Sequence, residues 1–310
     1  MRASQDVPVA GPWKSRRHAF AGSPDQAAAL LLLAPSVVAV GIFVYGFIGW
    51  TLYVSLSNWN SFLPDLSFAG LVNYRELLHS FRFQADLRNT TLFTVTFLAA
   101  SLAVGLLLAV LLDRGVWGEP LFRNVFLFPM AISFVVTGVT WQWLLNPSTG
   151  VNLLLERAGL AHLKSGWYTD PPVAIFSVVL AATWQMSGFT MALYLAGLRA
   201  VPHELLEAAR ADGATEWQLF RHVVFPLLHP VTLSAVIVLG HISLKIFDLV
   251  YAMTGSGPAF STDVPGIFMF ETAFRANRFA EGAALSVVML LLVAVLIVPY
   301  LWYTLRLEQK

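Results

Sequence analysis

The chain of 310 residues contains no cysteine. Disulfides, cysteine-ligated zinc and thiol nucleophiles are therefore excluded. Charge is scarce: Asp, Glu, Lys and Arg make up 12% of the chain, with a formal net charge of +1. That balance leaves no basic face for a nucleic acid. Lysine is confined to Lys14, Lys164, Lys245 and Lys310. None of them follows a glycine, so the Gly-Lys-[Ser/Thr] cradle of a P-loop is absent. No His-Glu-x-x-His motif occurs and the histidines are scattered, which leaves an intramembrane enzyme without a nucleophile and base. No catalytic residue and no metal site are predicted. What fills the chain instead is apolar: 57% of residues are hydrophobic and the mean hydropathy is +0.68. An integral membrane protein has that composition, and a soluble globule does not.

Apolar runs lie near residues 27–56, 91–112, 124–145, 173–198, 227–253 and 283–305. A helix needs roughly 20 residues to cross a bilayer, and each run supplies about that. The expected fold is an all-α integral membrane protein with six transmembrane helices. A β-barrel is excluded because the runs are continuous and do not alternate. Residues 1–26 are polar and carry Arg2, Lys14, Arg16 and Arg17. Arg16-Arg17 ahead of an apolar run has the look of a signal sequence, but the run is too long and lacks a small-x-small cleavage site. The expectation is a cytoplasmic N-terminal tail at 1–26, then a six-helix domain at 27–310. Placing the N-terminus inside gives the inner loops the excess of Lys and Arg, among them Arg114, Arg123, Arg199, Arg210 and Arg221. Both termini then face the cytoplasm. Outside, residues 57–89 should form a small helix against the membrane face. The outer segment 146–172 includes the turn-rich Asn146-Pro147-Ser148-Thr149-Gly150 and then Gly166-Trp167-Tyr168, and the Thr254-Gly255-Ser256-Gly257-Pro258 stretch reads as a turn.

The longest charged, amphipathic passage runs from Pro202 to Pro230. Pro202 suits a first helical turn, and Gly213 can take the left-handed conformation that ends a helix. Thr215 with Gln218 has capping-box spacing and starts a second helix, which should end or kink near Phe225 because Pro226 follows. The passage predicts two short helices joined by a glycine turn. A solvated connector is one reading. A DNA-binding helix-turn-helix is another, but apolar spans on both sides leave no third packing helix.

Glu207-Ala208-Ala209, Asp212-Gly213-Ala214 and Phe225-Pro226 with Pro230 resemble the EAA loop of permease subunits from binding-protein-dependent ABC importers. From about Ala27 onward the chain resembles the carbohydrate, maltose-permease-like branch. The resemblance implies the type I importer permease fold in a bacterial cytoplasmic (inner) membrane. It implies that the loop at about 199–226 is a coupling helix set in a groove of a cytoplasmic ATPase, with Glu207 beside a basic residue there. The implied partners are a second related permease, two copies of that ATPase carrying ATP and Mg, and an extracytoplasmic solute-binding protein. Phe225 stands where the family often has Ile or Leu.

Polar groups inside spans usually face a wet cavity or the bundle interior. His241, Lys245 and Asp248 fall at i, i+4 and i+7, one face of a continuous fifth helix. A Lys245–Asp248 structural pair is the plain alternative. The fourth span brings Trp184, Gln185, Ser187 and Gly188, and the third ends in Trp141, Gln142 and Trp143. Indoles with fixed hydrogen-bonding groups suit a pyranose, although tryptophans also serve as packing or interfacial anchors. In the family the sugar contacts come from the helices equivalent to four and five, which places Trp184, Gln185, Gly188, Ser243 and Lys245 near that zone. The Gly-Ser-Gly-Pro turn, with Thr262-Asp263-Val264-Pro265 and Phe268-Met269, resembles permeases for glucose, mannose or related glucosides. The rival class is an ion-coupled secondary transporter using Lys245 and Asp248 as a proton relay. It would have no need of the Glu207 loop.

Overall fold

A computed structural model describes residues 24–308; most of the expected tail, and Lys310, lie outside them. The chain divides into two compact units, residues 1–50 and 51–310. Within the first, helix α1 (Pro24–Val40) runs through a π-helical turn at Gly41–Gly46 into α2 (Phe47–Ser55), which ends in the second unit. The stretch Leu31–Ser55 has a mean hydropathy of 2.3, enough for a span. Pro35 sits inside α1, as membrane helices tolerate.

The second unit is a helical bundle. After a single bridge between Ser57 and Phe68 come α3 (Val72–His79) and α4 (Phe81–Asp113). Then follow α5 (Glu119–Leu127), a 3-10 turn at Phe128–Ala131, α6 (Phe134–Leu144) and α7 (Val151–Arg157). The long α8 (Pro171–Arg199) leads to α9 (His203–Ala211) and α10 (Glu216–Leu219). A π-helical turn at Phe220–Val224 joins α10 to α11 (Phe225–Leu227) and then α12 (His229–Leu244). Last are α13 (Asp248–Met253), α14 (Pro265–Phe270) and α15 (Phe279–Glu308). Among the described residues, four helices are long and apolar enough to span, and two bent pairs bring the total to six.

The core is the α4–α8 pair. Lipid is as apolar as leucine, so helices in a bilayer associate by close packing and by hydrogen bonds between them. Thr190 Oγ1 on α8 donates to the Ser101 carbonyl of α4 at 2.8 Å. A Cβ on Gly105 would collide with Thr190 Oγ1, so glycine lets the two backbones meet. Farther along α4, Phe93 and Phe97 stack at 5.3 Å and are fully buried.

One expectation needs correction. The fifth span is not one helix: α12 stops at Leu244 and α13 begins at Asp248. The turn buries Ile246, Leu249 and Val250 in the core cluster, a tertiary gain that outweighs helical continuity. His241, Lys245 and Asp248 therefore do not share a continuous helical face. Lys245 and Asp248 form no ion pair among the described residues. Each is explained by its helix end: a cation at the C-cap of α12 and an acid in the first turn of α13, both favoured by the helix dipole. The kink expected near Phe225 is present: a π turn at Phe220–Val224 precedes α11, and a 59° bend falls between Leu227 and His229, just beyond Pro226.

Candidate functional site

At the end of the bundle where α4 and α8 finish, α9 and α10 form the predicted helix–glycine–helix. Gly213 has φ +87° and would place a Cβ in open space. Its glycine requirement is thus one of backbone conformation alone. Thr215 and Gln218 make the full capping box. Arg210 on α9 pairs with Glu216 on α10 at 3.0 Å across the turn. Both are well exposed, so the pair sets geometry more than stability. The underside is fastened to the bundle: Leu206, Phe220, Val224 and Leu228 pack with Ala109 and Leu112 of α4 and Met191, Tyr194 and Leu195 of α8. Glu207, Ala208 and Asp212 are exposed, Ala209 is half-buried and Pro226 is exposed. Glu207 makes no ion pair among the described residues. A cavity of about 770 Å³ opens beside the loop, lined by Leu106, Val110, Arg114, Trp217 and Phe220 among others.

The polar residues of the spans separate into two groups. Trp141 and Trp184 meet edge to face at 5.9 Å, with Trp184 partly exposed. Lys245 and Asp248 are exposed at the α12–α13 break, and His241 is half-buried. The others turn inward. Gln185 is 2% exposed and donates from Nε2 to the Ile132 carbonyl at 2.7 Å. That carbonyl lies at the 100° bend between the 3-10 turn and α6, where it has no helical partner. A Cβ on Gly188 would strike the Phe126 carbonyl, so the bent span packs against α8 there. Ser187 and Ser243 are buried, and Ser243 bonds the Gly240 carbonyl at 2.9 Å. Gln142 donates to the Met253 carbonyl at 2.9 Å, tying α6 to α13, while Trp143 is exposed.

Two groupings escaped sequence reasoning. Phe247 and Tyr251 stack at 5.2 Å, Phe270 closes on both, and Arg275 Nη2 donates to the Tyr251 hydroxyl at 2.6 Å. At the opposite end of α4 from the Glu207 loop, Arg82 binds Asp263 at 2.5 Å and Glu271 at 2.6 Å. Its guanidinium lies 4.6 Å from the Phe268 ring. An arginine and an acid so far apart in sequence give no local signal of their pairing. Among the described residues no group of three or more His, Asp or Glu could hold a metal ion.

A bundle of spans, broken where polar groups enter it and carrying a small hinge of two helices at one end, is the architecture of a membrane-embedded helical subunit. Residues 101–310 match the family described as "binding-protein-dependent transport system inner membrane component", and the chain belongs to that family of ABC importer permeases. It is 43% identical to a probable ABC transporter permease protein of Pyrococcus horikoshii, covering 93% of this chain and 99% of that one. It is 35% identical to a xylose/arabinose import permease protein of Haloferax volcanii, over 94% of this chain and 92% of the relative. A trehalose/maltose transport system permease protein of Thermococcus litoralis is 30% identical, over 87% and 91% of the two chains. In fold the chain resembles a bacterial ABC transporter involved in alginate import, with a TM-score of 0.78 at 20% identity, covering 91% and 96% of the chains. The chain thus has the type I importer permease fold and is embedded in a membrane.

Proposed function

We propose that the chain is the translocating subunit of an ATP-driven importer for a sugar or sugar-like solute, with glucose, mannose or a related glucoside favoured. The sugar assignment is supported by the sugars in the names of its relatives, and by the Trp141–Trp184 pair beside the polar break. The observation that carries the coupling mechanism is the exposed α9–Gly213–α10 hinge seated on the ends of α4 and α8. Glu207, Ala208, Ala209, Asp212, Gly213 and Pro226 belong to the handle. Two copies of a cytoplasmic ATPase drive it, a second related permease completes the pathway, and an extracytoplasmic binding protein delivers solute. Both chain termini face the cytoplasm.

The cycle is alternating access. ATP closes the ATPase dimer, the hinges of the two permeases move together, and the bundle turns its polar break outward. Closure must bind one conformation better than the other, since no ligand shifts an equilibrium otherwise. Trp184, Gln185, Gly188, His241, Ser243, Lys245 and Asp248 belong to the pathway. Of these, Trp184, Lys245 and Asp248 offer exposed groups to solute, and Gln185, Gly188 and Ser243 hold the walls in shape. Uptake of labelled sugar into vesicles containing the assembled importer tests this. E207K should assemble yet transport poorly in the presence of ATP. Undiminished uptake by E207K would refute the handle, and ATP-independent uptake driven by an ion gradient would refute the class.

A further inference from the structure

The first turns of α4 and the loop between α13 and α14 share a buried ionic cluster that transport coupling does not use. Asn89 donates from Nδ2 to the Phe260 carbonyl at 2.7 Å and to the Asp263 carbonyl at 3.0 Å. Arg82 adds its bonds to Asp263 and Glu271, and lies 4.9 Å from the Phe260 ring. Asp86, one turn beyond Arg82, is fully buried, and no donor reaches either of its oxygens. Oδ1 of Asp263, itself 0% exposed, also lacks a donor. Asp86 lies on the face of α4 between Arg82 and Asn89, at i+4 and i−3, and both of those residues bond Asp263, so the two unsatisfied carboxyls share one buried pocket.

Two carboxylates cannot hydrogen-bond, because each only accepts. The charged groups around them do not resolve the conflict. Among the described residues Arg82 is the one cation paired with Asp263, it is shared with Glu271, and no ion pair reaches Asp86. Arg275 sits 3.5 Å from Glu271 and is exposed. Just before α15, Arg278 is engaged by Glu281 of that helix at 2.8 Å. Glu76 of α3 adds negative charge near Glu281, and Arg88 of α4 donates to Asn89. We infer that Asp86 and Asp263 form a proton-binding site, in which one shared proton joins α4 to the α13–α14 loop. A carboxylic acid on one residue donates to the carboxylate of the other, and Arg82 balances the remaining charge.

The burial of Asp263 supports this: it pushes the carboxyl up from the usual aspartate range, against the downward pull of Arg82. The folded state holds a proton that the unfolded chain releases above the ordinary aspartate range. Stability from the site is therefore full below that range and declines as pH rises through the raised folded value. Above it the two charges repel in a dry pocket, the proton passes to water, and the loop loosens from α4.

The test uses the importer purified with its partners in lipid nanodiscs, its aspartates labelled with carbon-13. Infrared titration of the unmodified protein should show a protonated aspartate near neutral pH that disappears in alkali. D86N should remove that band, because the amide donates permanently where the acid donated a titratable proton. The thermal midpoint should fall with rising pH in the parent and stay level in D86N. Should D86N fail to assemble, the spectrum of the unmodified protein decides alone. Absence of a protonated aspartate near neutral pH overturns the proposal. So does a midpoint that follows sodium or potassium at fixed pH, since a bound cation would then hold the pair.

Discussion

Replacing Gly213 isolates backbone geometry from packing. At φ +87° an added Cβ meets nothing within 4 Å, so no contact is lost or gained. What remains is the left-handed conformation, which costs a residue with a Cβ about 1–2 kcal/mol, most of all when it is β-branched. A smaller restriction of the unfolded chain, of order 0.4–1 kcal/mol, works in the opposite direction. The net effect in Gly213→Val is about 1 kcal/mol, roughly a fivefold fall in the population of the native hinge. Asn tolerates the left-handed region, so Gly213→Asn should be milder, with Ala between Asn and Val. Because the turn is exposed, the thermal midpoint of the bundle should scarcely move. The assay is the ratio of sugar imported to ATP hydrolysed in reconstituted vesicles. The ratio should fall in the order Gly, Asn, Ala, Val while ATP hydrolysis persists. Equal ratios for Gly and Val would refute the argument, as would Asn proving no better than Val.

Other outcomes follow from the packing. Gly105→Ala must push α4 away from Thr190, and overpacking of about 1–3 kcal/mol should lower the thermal midpoint. Gln185→Leu leaves the Ile132 carbonyl without its partner at the bend. A loss of about 1–3 kcal/mol in thermal unfolding is expected, with sugar selectivity little changed. Lys245→Leu removes an exposed charge at the α12–α13 break, so uptake should change while the complex assembles normally. Arg82→Ala strands buried Asp263 beside Glu271; breaking a buried pair costs roughly 3–5 kcal/mol, read as loss of assembled complex.

Much of this architecture was legible because its signals are local. Six apolar runs are visible to any window of about twenty residues. The hinge announces itself through Pro202, Gly213 and the Thr215–Gln218 capping box, all within one passage. The interior breaks were hidden for the opposite reason. Nothing in Lys245-Ile246-Phe247 ends a helix by propensity; burial of Ile246 among residues from other helices decides it. The 100° bend before α6 is hinted at by Pro129 and by Ser133, which caps α6 through the Val136 amide. Its stabilisation by Gln185 comes from a helix distant in sequence. The same distance conceals the Arg82–Asp263 pair. The pathway residues were identified by type, and type does not reveal direction: Gln185 and Ser243 turn to carbonyls inside the bundle, whereas Trp184 keeps an open edge.

The claim that the hinge is the point where the motor grips is tested most directly by disulfide trapping. A single cysteine at Glu207, in a chain that otherwise has none, is paired with cysteines introduced along the groove of the ATPase in the assembled importer. Cross-linking that depends on groove position and changes in yield when ATP binds is the predicted result. A Glu207 cysteine that reacts only with reagents applied from the outer face, or never joins the ATPase, would contradict it.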